Sequence, residues 1–363
     1  MKNTFGNNIA VTIFGESHGP YVGAVIDGLP AGIDVDETIM ADHLSKRRPA
    51  GATDTPRVEK DEFQIISGVF EGKTSGSPLT VIIPNSNTRS GDYERGLPRP
   101  SHADFSAYSK YFGYEDYRGG GHFSGRITAA LVAVGGILIP ELERKGIKIG
   151  THILNCHGVE DRAFSDIEKD LDGLKSKTFP VLEESVRKKM EDEIIAARED
   201  NDSVGGIIQT AVTGMPAGVG QPWFDSFESE LAHAIFSIGG IKGIEFGLGF
   251  DFVDKKGSEC NDAIRMSRDK VVTVSNNNGG INGGISNGMP IIFNMAVKPT
   301  PSIGKEQDSV DLKKGENATL SINGRHDPAI IRRICPVVNS VTAIAVADML
   351  MARYGEEKWH ELG

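Results

Sequence analysis

The sequence predicts one α/β unit in which short strand pairs alternate with buried helices. Three observations carry that expectation. β-type runs come in neighbouring pairs around glycine-bearing turns, as at 9–14 and 21–27. Residues 126–145 are apolar nearly all round, which puts a helix inside the molecule, not on its surface. Glycine supplies 44 of 363 residues, about 12% against a usual 7% or so. There is no G-X-Y period, and the glycines fall between the β-type runs, where turns, bulges and close backbone approaches are needed.

In chain order, 9–14 and 21–27 read as strands joined by Gly15–Pro20. Residues 37–46 read as a helix that leads into Lys46-Arg47-Arg48-Pro49. Residues 62–70 and 78–83 read as a hairpin around Gly72–Ser77. Within the apolar helix, Gly135 and Gly136 would let another element pack close, and Gly146 is its stop signal. Residues 147–155 read as a strand, and 159–202 as acidic, amphipathic, exposed helices. A strand at 205–213, a helix at 226–238 and strands at 270–275 and 289–297 follow, the last two around the polar, glycine-rich 276–288. A final helix runs from about Pro328 to Tyr354, with Pro336 expected to break or kink its first part. Nothing resembles a linker, so 1–363 reads as a single compact domain with a helical excursion at about 159–202. Both halves share a rhythm of hairpin, glycine-rich loop and buried helix. A duplicated architecture is therefore one reading, although no exact repeat is present.

Composition bounds the function. Apolar content of 39% and charged content of 25% describe an ordinary globule. No apolar run approaches the roughly 20 residues of a membrane span, and Met1–Gly6 lacks a signal-peptide core. Cys156, Cys260 and Cys335 are scattered, without metal-ligand spacing, which fits a reduced cytoplasmic protein. A net charge of −11 makes nucleic acid a poor partner. Yet Arg47, Arg48, Arg99, Arg118, Arg126 and Arg325 recur in the glycine-containing motifs, while acidic residues concentrate in 159–202. That separation predicts an anion pocket; the plainer alternative is a set of solvated surface arginines.

The stretch from Pro98 to Arg126 carries the most chemistry. Arg99 and His102 precede Gly119-Gly120-Gly121, and Ser124-Gly125-Arg126 opens the apolar helix. Glycines let the backbone come close, helix-start amides and arginines bind oxyanions, and histidine moves a proton at neutral pH. A small, multiply anionic ligand suits the set. Gly15-Glu16-Ser17-His18-Gly19 lies between two strands. Adjacent residues on extended chain point opposite ways, so Ser17 and His18 are not by themselves a nucleophile and base. Either the loop presents His18 as acid or base with Ser17 as a donor, or it is an ordinary turn.

Gly279–Gly288, with Lys298-Pro299-Thr300-Pro301-Ser302 after the next strand, offers bare amides, a lysine and two hydroxyls. A phosphate or a planar ring edge would use them, and a plain connecting loop is the other reading. Asp327 before Pro328 is a helix cap or, beside Arg325, a proton carrier. Gly68–Thr74 has three residues between its glycines where a P-loop needs four, and a strand follows it. No G-x-G-x-x-G follows a strand and opens a helix. Nucleotide kinases and Rossmann dehydrogenases are thereby disfavoured. His152 and His157 have no third ligand in reach, so no metal is expected.

These pieces, in order and over nearly the whole chain, resemble the chorismate synthase family. They are Gly15–Gly19 with Asp27-Gly28-Leu29-Pro30; Arg47-Arg48-Pro49; Ser67–Gly72; His102-Ala103-Asp104; Asp116–Gly121 with Ser124 and Arg126; Asp202–Gly206; Lys242-Gly243 with Glu245; 279–288 with Lys298-Pro299-Thr300; and Gly324–Pro328. Any one is weak, and the ordered set is very specific. The resemblance implies a β-α-β sandwich, with buried helices between antiparallel sheets, assembled as a homotetramer, a dimer of dimers. It implies a lyase that removes phosphate and a ring proton from 5-enolpyruvylshikimate 3-phosphate, a step toward aromatic amino acids. The family requires reduced FMN without net redox change, and some members obtain the reducing equivalents from NADPH.

The resemblance also implies residue roles. His18 would protonate the leaving phosphate with Ser17 nearby, His102 would protonate or stabilise the reduced flavin, and Asp327 would relay a proton. Arg47, Arg48, Arg99, Arg126 and Arg325 would clamp substrate anions, Arg325 also lying near flavin and Arg47 serving NADP. His122, Phe123, Ser124, Gly239, Gly240, Gly283, Lys298, Pro299, Thr300, Pro301 and Ser302 would line the FMN site. Three departures stand out. His122 occupies a family arginine position. The loop after Pro49 is one residue short, with Asp54 where a basic residue is common. Asn339 stands where glutamate is frequent. A flavin reductase-type FMN oxidoreductase and a non-catalytic relative are the competing hypotheses.

Overall fold

Two five-stranded antiparallel sheets enclose a layer of helices in the computed structural model, which describes residues 3–51, 53–55, 60–86, 94–322 and 327–362. The first sheet contains β1 (Thr4–Phe5), β2 (Ala10–Gly15), β3 (Tyr21–Asp27), β4 (Gln64–Ser67) and β5 (Leu79–Pro84), in the order β1-β2-β3-β5-β4. The second contains β6 (Lys148–Cys156), β7 (Val159–Glu160), β8 (Gly206–Thr213), β9 (Ile241–Phe246) and β10 (Ile291–Val297), in the order β9-β10-β8-β6-β7. The principal helices are α1 (Glu37–Arg47), α2 (Asp104–Tyr111), α3 (Thr128–Arg144), α4 (Ile167–Leu174), α5 (Glu184–Glu199), α6 (Phe227–Phe236) and α7 (Ile331–Trp359).

Alternation sets which sheet face is inside. Leu79, Val81 and Ile83 of β5 and Ile291, Phe293 and Met295 of β10 are fully buried, with less buried residues between them. Helix α3 packs on β3, β5, α1 and α7, and α7 packs on β6 and β8, so the two longest helices form the middle of the sandwich. Gly135 permits the close approach of α3 to α7, and Gly136 that of α3 to α1. A Cβ on Gly135 would lie 2.8 Å from Ser340 Cα, and one on Gly136 2.8 Å from Met40 Cα. By length and composition Gly125–Arg144, which contains α3, and α7 could each cross a membrane, but both are mostly buried inside the molecule.

Other features differ from expectation. Helix α7 runs through Pro336, and its non-helical residue is Gly355 (φ 71°). Pro336 sits in the second turn, where it forgoes a single i→i−4 bond. Asn339 accepts a hydrogen bond from Thr151 Oγ1 of β6 at 2.6 Å, which ties α7 to the second sheet. Next to Thr151, Gly150 faces Leu171 of α4. Neighbouring strand residues point to opposite faces, so α4 and α7 cover the two faces of that sheet. In the acidic segment, Leu171, Phe179, Val181, Met190 and Ile194 are buried. The described structure also contains strand β9 and short hairpins, among them 264–267 with 270–273 and 307–311 with 316–320.

Candidate active site

A cavity of about 960 Å³ opens where the first sheet, the end of α6 and the start of α7 meet. Phe5, Val11 and Ile13 form part of its apolar wall, and Ile330, Ile334, Val337 and Val341 form another. Among the described residues that line it, Arg47, Arg99, Arg126, Lys242, Lys298 and Arg333 carry positive charge, and Asp327 alone is acidic. In a chain of net charge −11, this is a concentrated cationic site. Burial, then the charge of Lys242, lowers the Lys298 pKa.

The triple glycine forms one edge. Gly119, Gly120 and Gly121 have φ of 60°, 83° and 53°, a left-handed run that side chains disfavour. A Cβ on Gly119 would collide with the His18 ring. The Ser17 amide donates to Gly121 O at 3.0 Å, so the loop holding His18 is fastened to the glycines. Asp116, paired with Arg118 at 2.7 Å, lies close enough to His18 to interact electrostatically.

Across Gly120 stand Arg99, His102 and Asp104. Arg99 grips Asp104 with Nε at 2.7 Å and Nη2 at 2.8 Å, and its Nη1 donates to Ser302 Oγ at 3.2 Å. His102 Nδ1 lies 2.5 Å from Asp104 Oδ1. Burial raises the Asp104 pKa, but hydrogen bonds from Arg99 and His102 outweigh it and hold the carboxyl well below the usual range.

Behind two of the lining arginines, Asp61 is shared by both. Arg47 Nη1 donates to Asp61 Oδ2 at 2.9 Å, and Arg126 Nη1 bonds Asp61 Oδ1. Arg47 is only 3% exposed and the Asp61 side chain is fully buried. Burial raises the Asp61 pKa, and the two guanidinium charges overcome it. At the start of α7, Asp327 accepts from Thr55 N at 2.9 Å and from Arg333 Nη1 at 2.6 Å.

Of the residues expected in the site, Arg47, Arg99, His102, His122, Phe123, Ser124, Arg126, Gly239, Gly240, Lys298, Pro299, Thr300, Pro301, Ser302 and Asp327 line the cavity. His18 and Ser17 adjoin it through Gly119. Arg48 is not among the lining residues; its carbonyl accepts from Arg332 at 2.5 Å. Gly283 sits beside the N-terminal end of α6, where Gly284 O accepts from Phe227 N. Gly239 and Gly240 lie past the opposite end, and a helix of 10 residues spans about 15 Å. Arg325 lies outside the described residues. His122 has Nδ1 2.9 Å from Gly15 O and Nε2 3.3 Å from Asn3 Oδ1. Asp54 forms a buried pair with Arg332 (2.6 Å) and accepts from Ala50 N, which closes the loop after Pro49.

Sequence reasoning assigned no role to Asp61, Asp104, Lys242 or Arg333. Asp104 and Lys242 both stand in motifs that carry the resemblance, and the spacing of Asp104 from His102 is the available signal. The chemistry of the site fits a flavin nucleotide. Thr300 Oγ1 is buried with no hydrogen-bond partner among the described residues, a cost that a bound polar edge would relieve. Cationic and apolar side chains both line a space of ligand size. No group of His, Cys, Asp and Glu among the described residues is placed to hold a metal.

The family model described as chorismate synthase matches residues 9–351. The chain is 43% identical over 352 residues to chorismate synthase of Methanosarcina mazei, covering 96% of each chain. It is 45% identical over 351 residues to chorismate synthase of Chitinophaga pinensis, again covering 96% of each. A crystal structure of chorismate synthase superposes with a TM-score of 0.78 at 28% identity, covering 98% of this chain and 97% of the other.

Proposed function

The chain belongs to the chorismate synthase family, and from that premise we propose its reaction and the roles of its residues. It eliminates phosphate and a ring proton, 1,4 and anti, from 5-enolpyruvylshikimate 3-phosphate to give chorismate, in the pathway to aromatic amino acids. The observation that carries this reading is the cationic cavity in an acidic chain. Its substrate bears two carboxylates and a phosphate, and Arg47, Arg99 and Arg126 would bind them, together with Arg48 and Arg325 by family position. His18, fastened beside the triple glycine, delivers a proton to the leaving phosphate. Asp327 carries the ring proton away from the cavity side of α7. His102 stabilises negative charge beside Gly120.

Reduced FMN, when bound, supplies electron density to the reaction and is not consumed. Ser124, Gly239, Gly240, Lys298, Thr300 and Ser302 would hold it, with His122 and Phe123 at the edge. NADPH, contacting Arg47, is one source of reducing equivalents. We further propose a cytoplasmic homotetramer. Exposed apolar side chains support assembly, among them Trp223 (87%), Phe224 (91%) and Met266 (69%). In such an assembly Gly283 would serve a neighbouring subunit's cavity.

The test is an anaerobic assay with dithionite-reduced FMN and authentic substrate. Chorismate and phosphate should form in equal amounts, with no stoichiometric loss of reductant. Reductant consumed without chorismate would replace this reading with a flavin reductase.

A further inference from the structure

We propose that Asp104 is a positioning residue, which holds the His102 proton on Nδ1 and leaves Nε2 beside Gly120 to take up the second proton, so that the imidazolium can stabilise negative charge there. The functional half of the proposal rests on the role given to His102 above; the tautomer itself does not.

The geometry of three side chains carries it. His102 Nδ1 is 2.5 Å from Asp104 Oδ1 and 3.0 Å from Arg99 Nη2. A guanidinium only donates, and an ionised carboxylate only accepts. Nδ1 therefore serves one of them: protonated toward Asp104, or bare toward Arg99. A bare Nδ1 would set two lone pairs against each other at 2.5 Å. Arg99 has no need of it, because its fork already spans both Asp104 oxygens and reaches Ser302. The low pKa of Asp104, set by Arg99 and His102 against burial, keeps the carboxylate an acceptor.

Two further observations separate this from a helix cap. Asp104 opens α2 after Ala103, whose methyl cannot cap the helix, and its carboxylate could serve the first-turn amides, yet the bonds it makes among the described residues lead elsewhere. The Asp104 oxygens go to Arg99 and His102, and the Arg99 amide adds a third donor at 3.0 Å. On the other side of the ring, a Cβ at Gly120 would lie 3.2 Å from Nε2 and 2.9 Å from Cε1. Glycine at 120 thus leaves the Nε2 edge open, and His102 lines the cavity.

¹⁵N NMR of the His102 ring, in the flavin-free protein with the imidazole neutral, reads the tautomer directly. Wild type should show the proton on Nδ1, and Asp104→Asn should shift it toward Nε2. In the same variant kcat should fall by about 10²-fold or more while KM for substrate stays within about threefold, since a misplaced proton affects the step and not binding. A wild-type proton on Nε2 would overturn the proposal even if the variant failed to fold. So would a raised KM at unchanged kcat, which would mean that Asp104 acts through Arg99. Nδ1 protonation in a wild type that makes no chorismate would instead defeat the functional reading and leave the tautomer standing.

Discussion

The pair Arg332–Asp54 and the trio Arg47–Asp61–Arg126 use the same two kinds of side chain and reach opposite electrostatic states. Arg332 spends its donors inside the molecule, on Asp54 and on the carbonyls of Lys46, Arg48 and Thr178. Asp54 has that one arginine, and burial prevails, so its pKa is raised. Asp61 has two, and they prevail over burial, so its pKa is lowered. The first cluster is neutral and closed. The second carries one surplus positive charge, on a wall that faces the cavity. Counting arginines in motifs therefore does not find an anion site. What matters is the ratio of guanidinium to carboxylate, and the side on which the surplus faces.

If that difference separates reactive from structural chemistry, mutations should divide along it. The largest effects belong to the cavity side. His18→Ala and His102→Ala should each lower turnover by about 10²–10⁴ while FMN still binds, the usual worth of a general acid or base. Steady-state kinetics with flavin titration measures this, and near-full activity in either variant would remove its assignment. On the closed side, Arg332→Met should act on stability. It strands Asp54 without its partner and should cost about 3–5 kcal/mol, read from urea unfolding. Adding Asp54→Leu should recover most of that loss. A single variant of unchanged stability and abolished turnover would reverse the contrast.

The sequence disclosed the parts of this arrangement whose signal is local. The strands at 9–14 and 21–27, the all-round apolar α3 and its glycine pair follow from periodicity and composition. Strand β9 did not, because Ile241-Lys242-Gly243-Ile244-Glu245-Phe246 has no clean alternation. The hairpin at 307–320 is polar and buries no face, so it left no pattern. Pro336 misled because proline near the start of a long helix costs little. The same division holds at the site. His102, Arg99 and Arg126 sit in recognisable motifs. Asp61 reads as one charge in the solvated run Lys60-Asp61-Glu62, and it acquires its meaning from Arg47 and Arg126, 14 and 65 residues away. Asp54 reads as a lost basic contact until Arg332, 278 residues on, makes it half of a structural pair.

The smallest effect tests the contrast by sign. Asp61 has a folded pKa below its ordinary 3.8. Its contribution to stability is present above the unfolded value and is lost as pH falls through the folded one. Asp54 has a folded pKa above 3.8. Its contribution is fully present below the unfolded value and is lost as pH rises through the folded one. Unfolding midpoints of wild type, Asp61→Asn and Asp54→Asn, taken from about pH 4 to pH 7, should therefore diverge. The wild-type advantage over Asp61→Asn should stay level across that range and shrink only in stronger acid. The advantage over Asp54→Asn should shrink as pH rises. Each comparison subtracts the same wild type, so titrations elsewhere in the chain cancel to the extent that the sites are independent. Parallel curves would mean that the second arginine does not set Asp61 apart from Asp54, and the surplus charge on the cavity wall would lose its physical basis.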